Sequence, residues 1–480
     1  MKIQFKNKII ITLLSINCFL YAQLELQNQF CDLETCNVYT DDIYAVWWDD
    51  QYDFQSDAEI IINTLVSIRT ICLQEFGMED PPNPTDGYYY NVYLGYWQND
   101  LFPDGWALGQ GTDIYGYPYL TLPFGTHLES IYMLHEGFHI FQYNSNSSGF
   151  SYSGDSGWYI EASANWFVSI QEPDNLLGFL ESAAISANPQ LPIWYGFFNS
   201  EANDPQNWQR GVLPYAMNTF LYYLTDVVGM DEYQISNSFY QNIIEYPQEY
   251  LSNYFGFDEF KEIFSDWTMH NVAGFDYISE EQWNRAQIEL DNYGDPNDLN
   301  PYIEIFNNSG TDGIWLRPNQ DYTTRSWGYN VYKIHNSENN SYGFYLKGDN
   351  QGNMGTNSIF NGRIVSINNG STTFHNINMA NNLNGSIVLD NLINQNEIYF
   401  VIASVPQNYS GNETFSYEIF INAGQLFGDI NLDDNVNILD VVYIVNLILD
   451  SQYILLADVN TDDIINILDV IIIINQILNN

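Results

Sequence analysis

The chain has 480 residues, and its 60 acidic side chains face only 12 basic ones, a formal charge of −48. Such a surface repels phosphate backbones and anionic headgroups, which argues against nucleic acid or anionic membranes as partners. A hydrophobic content of 45% supports a sizeable core, and the length predicts two or three domains.

Residues 1–22 read as a secretory signal. Lys2, Lys6 and Lys8 precede the apolar run Ile9–Leu20, and Ala22 offers a small residue for cleavage. Asn17 ahead of Cys18 does not suit lipid attachment, and the apolar run near the C-terminus is interrupted by Asp469 and Asn475, so no membrane span is expected. The mature chain is therefore expected to be secreted or extracellular, with a possible place at the cell surface. Cys31, Cys36 and Cys72 remain, enough for one disulfide whose pairing the spacing does not fix.

Asp57–Phe76 has apolar residues at 61, 65, 68 and 72 and predicts a helix stopped by Gly77. Pro81–Pro84 breaks the chain, Tyr88–Tyr96 reads as a strand, and Gly116–Leu122 as a second extended run. A helix then opens at Thr126, an N-cap whose capping box is completed by Glu129. It carries His135-Glu136-x-x-His139, with Ile131, Leu134, Phe138 and Phe141 as its core stripe. Residues four apart share a helix face, so both imidazoles can take corners of one zinc tetrahedron, with Glu136 placed to deprotonate a water. The chain has six histidines in all, so two at this spacing around a glutamate is a selective signal. Trp158–Phe167 predicts a second helix, in which Ala162, Ser163 and Ala164 permit close approach and Glu161 offers a third ligand. His135, His139 and Glu161 would leave one position open, as a catalytic zinc site requires.

These two helices resemble the gluzincin branch of zinc metallopeptidases, and secreted bacterial members with H-E-x-x-H-x-x-Q followed by W-x-x-E-A-x-A in particular. Gln142 and Trp158 fit that longer pattern. The resemblance spans roughly residues 40–290 and is specific at the two helices. Where many gluzincins place Asp four residues after the glutamate ligand, this chain has Asn165, so a histidine would be supported by an amide. The resemblance implies a zincin-like α+β domain over residues 23–300 and an extended segment before the first helix that pairs with substrate backbone. It also implies a phenol or imidazole that stabilises the oxyanion. Arg210 and Tyr215 open a run, Leu213–Val228, that reads as helix, and Tyr215 is the candidate donor. Helices are also predicted over Asn175–Ala187 and Phe257–Asn271.

Residues 301–423 are rich in Asn, Gly, Ser and Thr between short alternating runs such as Tyr329–Ile334, Arg363–Ile367 and Ile398–Ala403, the pattern of a β-sandwich. Residues 424–480 contain a duplicated loop. Asp429, Asn431, Asp433, Asn435, Asn437 and Asp440 stand at calcium-loop positions, and Asp458, Asn460, Asp462, Ile464, Asn466 and Asp469 repeat them, Ile464 through its carbonyl. Asp434 and Asp463 occupy the place where such loops usually carry Gly. The duplication, with no helix before each loop, resembles type I dockerin, which implies helices over Val441–Leu449 and Val470–Leu478 and a cohesin-like partner.

The sequence thus predicts a multidomain, secreted zinc endopeptidase acting on protein or peptide substrate. Zinc and calcium are its expected cofactors. The rival readings are a zinc aminopeptidase and an exported metal-binding surface or adhesion protein with an inactive zincin domain.

Overall fold

The computed structural model describes residues 24–30, 35–95, 111–196, 211–293, 303–306, 315–335, 341–390, 392, 397–423, 428–433, 435–459 and 464–479. The segment 1–22 predicted as a signal, Cys31, Arg210, Asp434, Asn460, Asp462 and Asp463 lie outside these residues. Mixed helix and sheet, in three separate sheets, bear out a multidomain α+β chain. No helix among the described residues is long and apolar enough to cross a membrane.

The chain divides into two compact units, residues 1–64 with 81–127 and residues 65–80 with 128–480, and the division falls within α1 (Gln55–Gln74). The first unit holds β1 (Cys36–Thr40), β2 (Tyr44–Asp49), the short helix α2 (Pro82–Asp86), β3 (Tyr90–Gly95), β4 (Gly111–Thr112) and β5 (Pro118–Pro123). Their order is β1-β2-β3-β5-β4, with β2, β3 and β5 mutually parallel. Burial of β2 along its whole length explains its apolar run Tyr44–Trp48, as strands covered on both faces require. Cys36, Ala45, Trp47, Tyr89 and Tyr93 form one core beside the sheet. Cys36 is disulfide-bonded, and Cys72 is a free, buried thiol. The predicted strand Gly116–Leu122 is β5; it is paired on one side with β3 and at Pro118 and Tyr119 with β4.

The second unit contains the helical part. α3 (Ser130–Gln142) and α4 (Gly157–Gln171) carry the predicted motif residues and pack side by side. The expected capping box is absent. Thr126–Leu128 forms a 3-10 turn, and α3 begins at Ser130 with Glu129 in extended conformation and no side-chain cap. His127, drawn inward onto Asp57 at 2.8 Å, fixes that turn and delays the helix. Gly137 is required by close packing, since a Cβ there would sit 2.6 Å from Ile68 Cδ1. Ala162, Ser163 and Ala164 are fully buried, as their size predicts.

Two predicted helices are broken. Within Asn175–Ala187 only α5 (Ala183–Ala187) is α-helical. Successive turns close three residues apart, and Gly178 O accepts from Asn218 Nδ2 in place of an intrahelical donor. Leu213–Val228 becomes α6 (Leu213–Ala216), α7 (Asn218–Tyr222) and a π turn over Tyr223–Val227. α8 (Glu232–Asn237), α9 (Pro247–Phe255), α10 (Phe257–Val272) and α11 (Glu280–Tyr293) follow.

Among the described residues nine strands then make two sheets, ordered β10-β9-β13-β7-β6 and β11-β12-β8-β14. They run β6 (Ile303–Phe306), β7 (Gly328–His335), β8 (Tyr342–Gly348), β9 (Phe360–Asn368), β10 (Ser371–Asn376), β11 (Asn378–Ala380), β12 (Asn384–Leu389), β13 (Glu397–Ser404) and β14 (Tyr417–Ala423). Residues from both sheets, Phe344, Ile364, Phe400, Tyr417 and Ile419 among them, share one core, which is the predicted sandwich. It is docked on the helices, not tethered to them. Arg363 on β9 is 2% exposed and pairs with Glu262 and Asp266 of α10 at 2.5 and 3.1 Å. Trp327 lies against Phe260 and Phe264 of the same helix.

The last described residues form α12 (Ile438–Leu449) and α13 (Ile467–Asn479). β-Branched runs become helices here because of their starts. Asn437 and Asp440 make a reciprocal capping box, and Val441, Ile444 and Leu447 then meet Val470 and Ile473 at helical spacing.

Candidate metal centre

His135 and His139, one turn apart on α3, and Glu161 on α4 meet in the second unit, each less than a tenth exposed. His135 Nε2 lies 3.1 Å from His139 Nε2, and Glu161 Oε2 lies 3.2 and 3.5 Å from them. Among the described residues this is the one group of three His, Cys, Asp or Glu whose donor atoms all fall within 4.8 Å.

Hydrogen bonding sets which ring nitrogen faces which way. Gln142 Nε2 donates to Ile160 O and Ser163 Oγ, so the Gln142 atom 2.5 Å from His139 Nδ1 is its carbonyl oxygen. Asn165 Nδ2 donates to Tyr215 O and Glu181 Oε2, which leaves its Oδ1 2.7 Å from His135 Nδ1. Both imidazoles therefore carry a proton on Nδ1 and turn Nε2 toward each other and toward Glu161. Glu161 Oε2 is buried and receives no hydrogen bond. Two imidazole nitrogens and a carboxylate oxygen converging in a buried site call for positive charge between them, a proton in the metal-free chain or a metal ion in its place. Ligands held tetrahedrally about 2.0–2.1 Å from zinc stand about 3.3–3.4 Å apart, close to the spacings found.

The electrostatics agree. Burial opposes charge on His135, yet the facing carboxylates of Glu161 and Glu136 raise its pKa to about 9. Glu161, despite burial, is held well below the ordinary carboxylate range by the two histidines. Glu136, with Oε1 3.9 Å from His135 Nε2, is pushed upward, chiefly by burial. A carboxyl group raised in this way is suited to take and return a proton.

Tyr215 stacks on His135, ring centroids 5.8 Å apart. Burial and then the charges of Glu161 and Glu136 keep its phenol protonated well beyond the ordinary range. Sequence reasoning missed Tyr152, whose hydroxyl donates to Glu161 Oε1. With 38 tyrosines in the chain, and this one in a Ser- and Gly-rich loop, no spacing singled it out. That loop is anchored from the sandwich: Gly411 N donates to Asp155 Oδ2 at 2.8 Å, and Gln248 Nε2 reaches both Asp155 O and Tyr409 O. Trp158, the other motif residue, donates to Gln248 Oε1.

The C-terminal loops are organised around their last acids. Asp440 accepts from the backbone of Ile430, Asn431 and Asn437, and Asp469 from Val459 and Asn466. Asp429 and Asp458 are also buried. Asp433 Oδ1 accepts from Asn435 N, while Asn437 and Asn466 cap the helices that follow. Of the second loop, Asn460 and Asp462 are not described.

Compared with protein-family models and with curated proteins, the chain matches none.

Proposed function

We propose that this chain is a secreted zinc-dependent endopeptidase, with His135, His139 and Glu161 as metal ligands. The observation that carries the reading is the convergence of two Nε2 atoms and one buried carboxylate oxygen on a single point. Zinc bound there supplies a Lewis acid that polarises a peptide carbonyl and acidifies water. Glu136 accepts the proton of the attacking water and delivers it to the leaving amine. Tyr152 and Tyr215, both protonated beside Glu161, are the donors that answer developing negative charge on the carbonyl oxygen.

The tail is read as a dockerin-like calcium module with a cohesin-like partner. In its support, Ile438, Leu439, Val442 and Leu449 are exposed on α12, and their counterparts Ile467, Leu468, Ile471 and Leu478 are exposed on α13. Apolar surface repeated in this way is costly in water unless a partner covers it.

The test is metal analysis and casein cleavage by the full chain, as wild type and Glu136→Ala. Stoichiometric zinc in both, with cleavage lost in the variant, is expected. Cleavage retained by Glu136→Ala removes the proposed base, and a wild type that takes up no zinc removes the whole reading.

A further inference from the structure

The two candidate histidine ligands are supported by amides in parallel ways, but the supports end differently. Behind Gln142 stand a backbone carbonyl and a serine hydroxyl, both neutral. Behind Asn165 stands a carboxylate. Glu181, in the turn before α5, places Oε2 3.4 Å from Asn165 Nδ2, while Asn165 Oδ1 faces His135 Nδ1 at 2.7 Å. A metal-bound histidine is usually oriented by a carboxylate or carbonyl on its other nitrogen, and a carboxylate also strengthens its donor power. This chain has an amide at that place, with the carboxylate one residue further out.

We propose that Glu181 is a positioning residue for the metal centre, acting on His135 through the Asn165 amide. Two effects follow from the geometry. Glu181 Oε2 and Tyr215 O are both acceptors, so a flipped Asn165 would set its own oxygen against them, and the amide is locked with Oδ1 toward the imidazole. The negative charge also polarises the amide along the line toward His135, making Oδ1 a stronger acceptor and Nε2 a better ligand. Glu181 is partly shielded from solvent, and burial raises its carboxyl to about 7, so the charge is present above that pH and zinc affinity is compared at about pH 8.

The inference rests on the zinc reading above, and zinc affinity separates the two. Full-length wild type, Glu181→Gln and the double variant Asn165→Asp with Glu181→Gln are titrated with zinc against a chromogenic chelator. Far-ultraviolet circular dichroism and melting temperature check folding. Glutamine keeps the size and an accepting oxygen, so a purely structural role predicts unchanged affinity. Loss of the charge predicts affinity about 10- to 100-fold weaker. The double variant returns a carboxylate directly to His135 and is expected to recover to within a few-fold of wild type. Wild-type affinity in Glu181→Gln, or a double variant no better than the single one, overturns the role of Glu181 while leaving the zinc reading intact. A wild type that binds no zinc overturns both.

Discussion

His139 Nδ1 lies 2.5 Å from the side-chain oxygen of Gln142, three residues along the same helix. Gln142 is held in turn by Ile160 O and Ser163 Oγ of α4, so helix packing and imidazole orientation are set by one side chain. Replacing it with leucine preserves most of the volume and leaves a buried N–H without an acceptor. Gln142→Leu is expected to weaken zinc binding about tenfold or more and to lower stability by about 1–3 kcal/mol. Chelator competition and chemical denaturation measure the two; an unchanged zinc affinity would refute the orienting role.

The two tyrosines beside Glu161 can be told apart kinetically. Tyr152 is 45% exposed and donates to the carboxylate; Tyr215 also lies beside Glu161, with its ring stacked on His135. Removing a donor that acts only in the transition state lowers kcat by about 10²–10³ with KM nearly constant. Tyr152→Phe is expected to behave in this way, because its phenol is half-exposed beside the candidate ligand Glu161. Tyr215→Phe keeps the stacked ring and should cost less. The reverse order in a peptide-cleavage assay would return the donor role to Tyr215.

The candidate ligands were legible in sequence because helical spacing is local: residues 135 and 139 had to share a face. Asn165 was likewise legible as a support, one turn beyond Glu161. What stayed hidden depends on contacts between distant segments. Glu181 lies in a stretch whose apolar spacing suggested a helix but whose backbone closes three-residue turns, with Gly178 O taken by Asn218. Tyr152 reaches Glu161 from a loop without periodicity. Thr126 and Glu129 had the chemistry of a capping box, and the buried His127–Asp57 contact overrode it. In the tail, Val and Ile favour strands by intrinsic propensity, and the acids at 440 and 469, which accept from backbone N–H groups at the helix starts, decide for helices as expected.

Arg363 argues that the sandwich and the helices it packs on form one cooperative unit. It is buried on β9, while its partners Glu262 and Asp266 on α10 are partly open to solvent. Arg363→Leu leaves two acids without their cation, and the partial exposure of those acids limits the cost to about 1–3 kcal/mol. A single cooperative melting transition, shifted downward, is expected. Two separate transitions in the wild type, one of them unaffected by the substitution, would show that sandwich and helices unfold independently.

Calcium is expected to act on the last two helices. Asp440 and Asp469 are buried and hold the loops through backbone N–H groups. Asp440→Asn keeps the shape but removes a charge from the first loop, and should weaken calcium binding there at least tenfold. Chelation should lower the thermal stability of the tail, and calcium at about 100 times its dissociation constant should restore about 2.7 kcal/mol. Isothermal titration of both forms is the direct measurement, and equal calcium affinity would exclude Asp440 as a ligand.

The pH dependence of the metal centre follows from His135. In the metal-free chain its pKa stands at about 9, above the ordinary value of about 6.5 for an unfolded chain. A folded-state pKa that is raised means the charged form contributes stability in full below about 6.5, and that this contribution is lost as pH rises through about 9. The metal-free protein should therefore lose melting temperature across that window. Zinc must displace the same proton, so its affinity should rise by up to about tenfold per pH unit and level off near pH 9. Glu161, held low by the histidines, adds no proton in this range. Melting curves with and without chelator from pH 6 to 10, paired with zinc titrations, test both halves together. An affinity that stays flat from pH 6 to 9 would mean that no proton is exchanged for the metal, and that His135 does not lend its Nε2 to the ion.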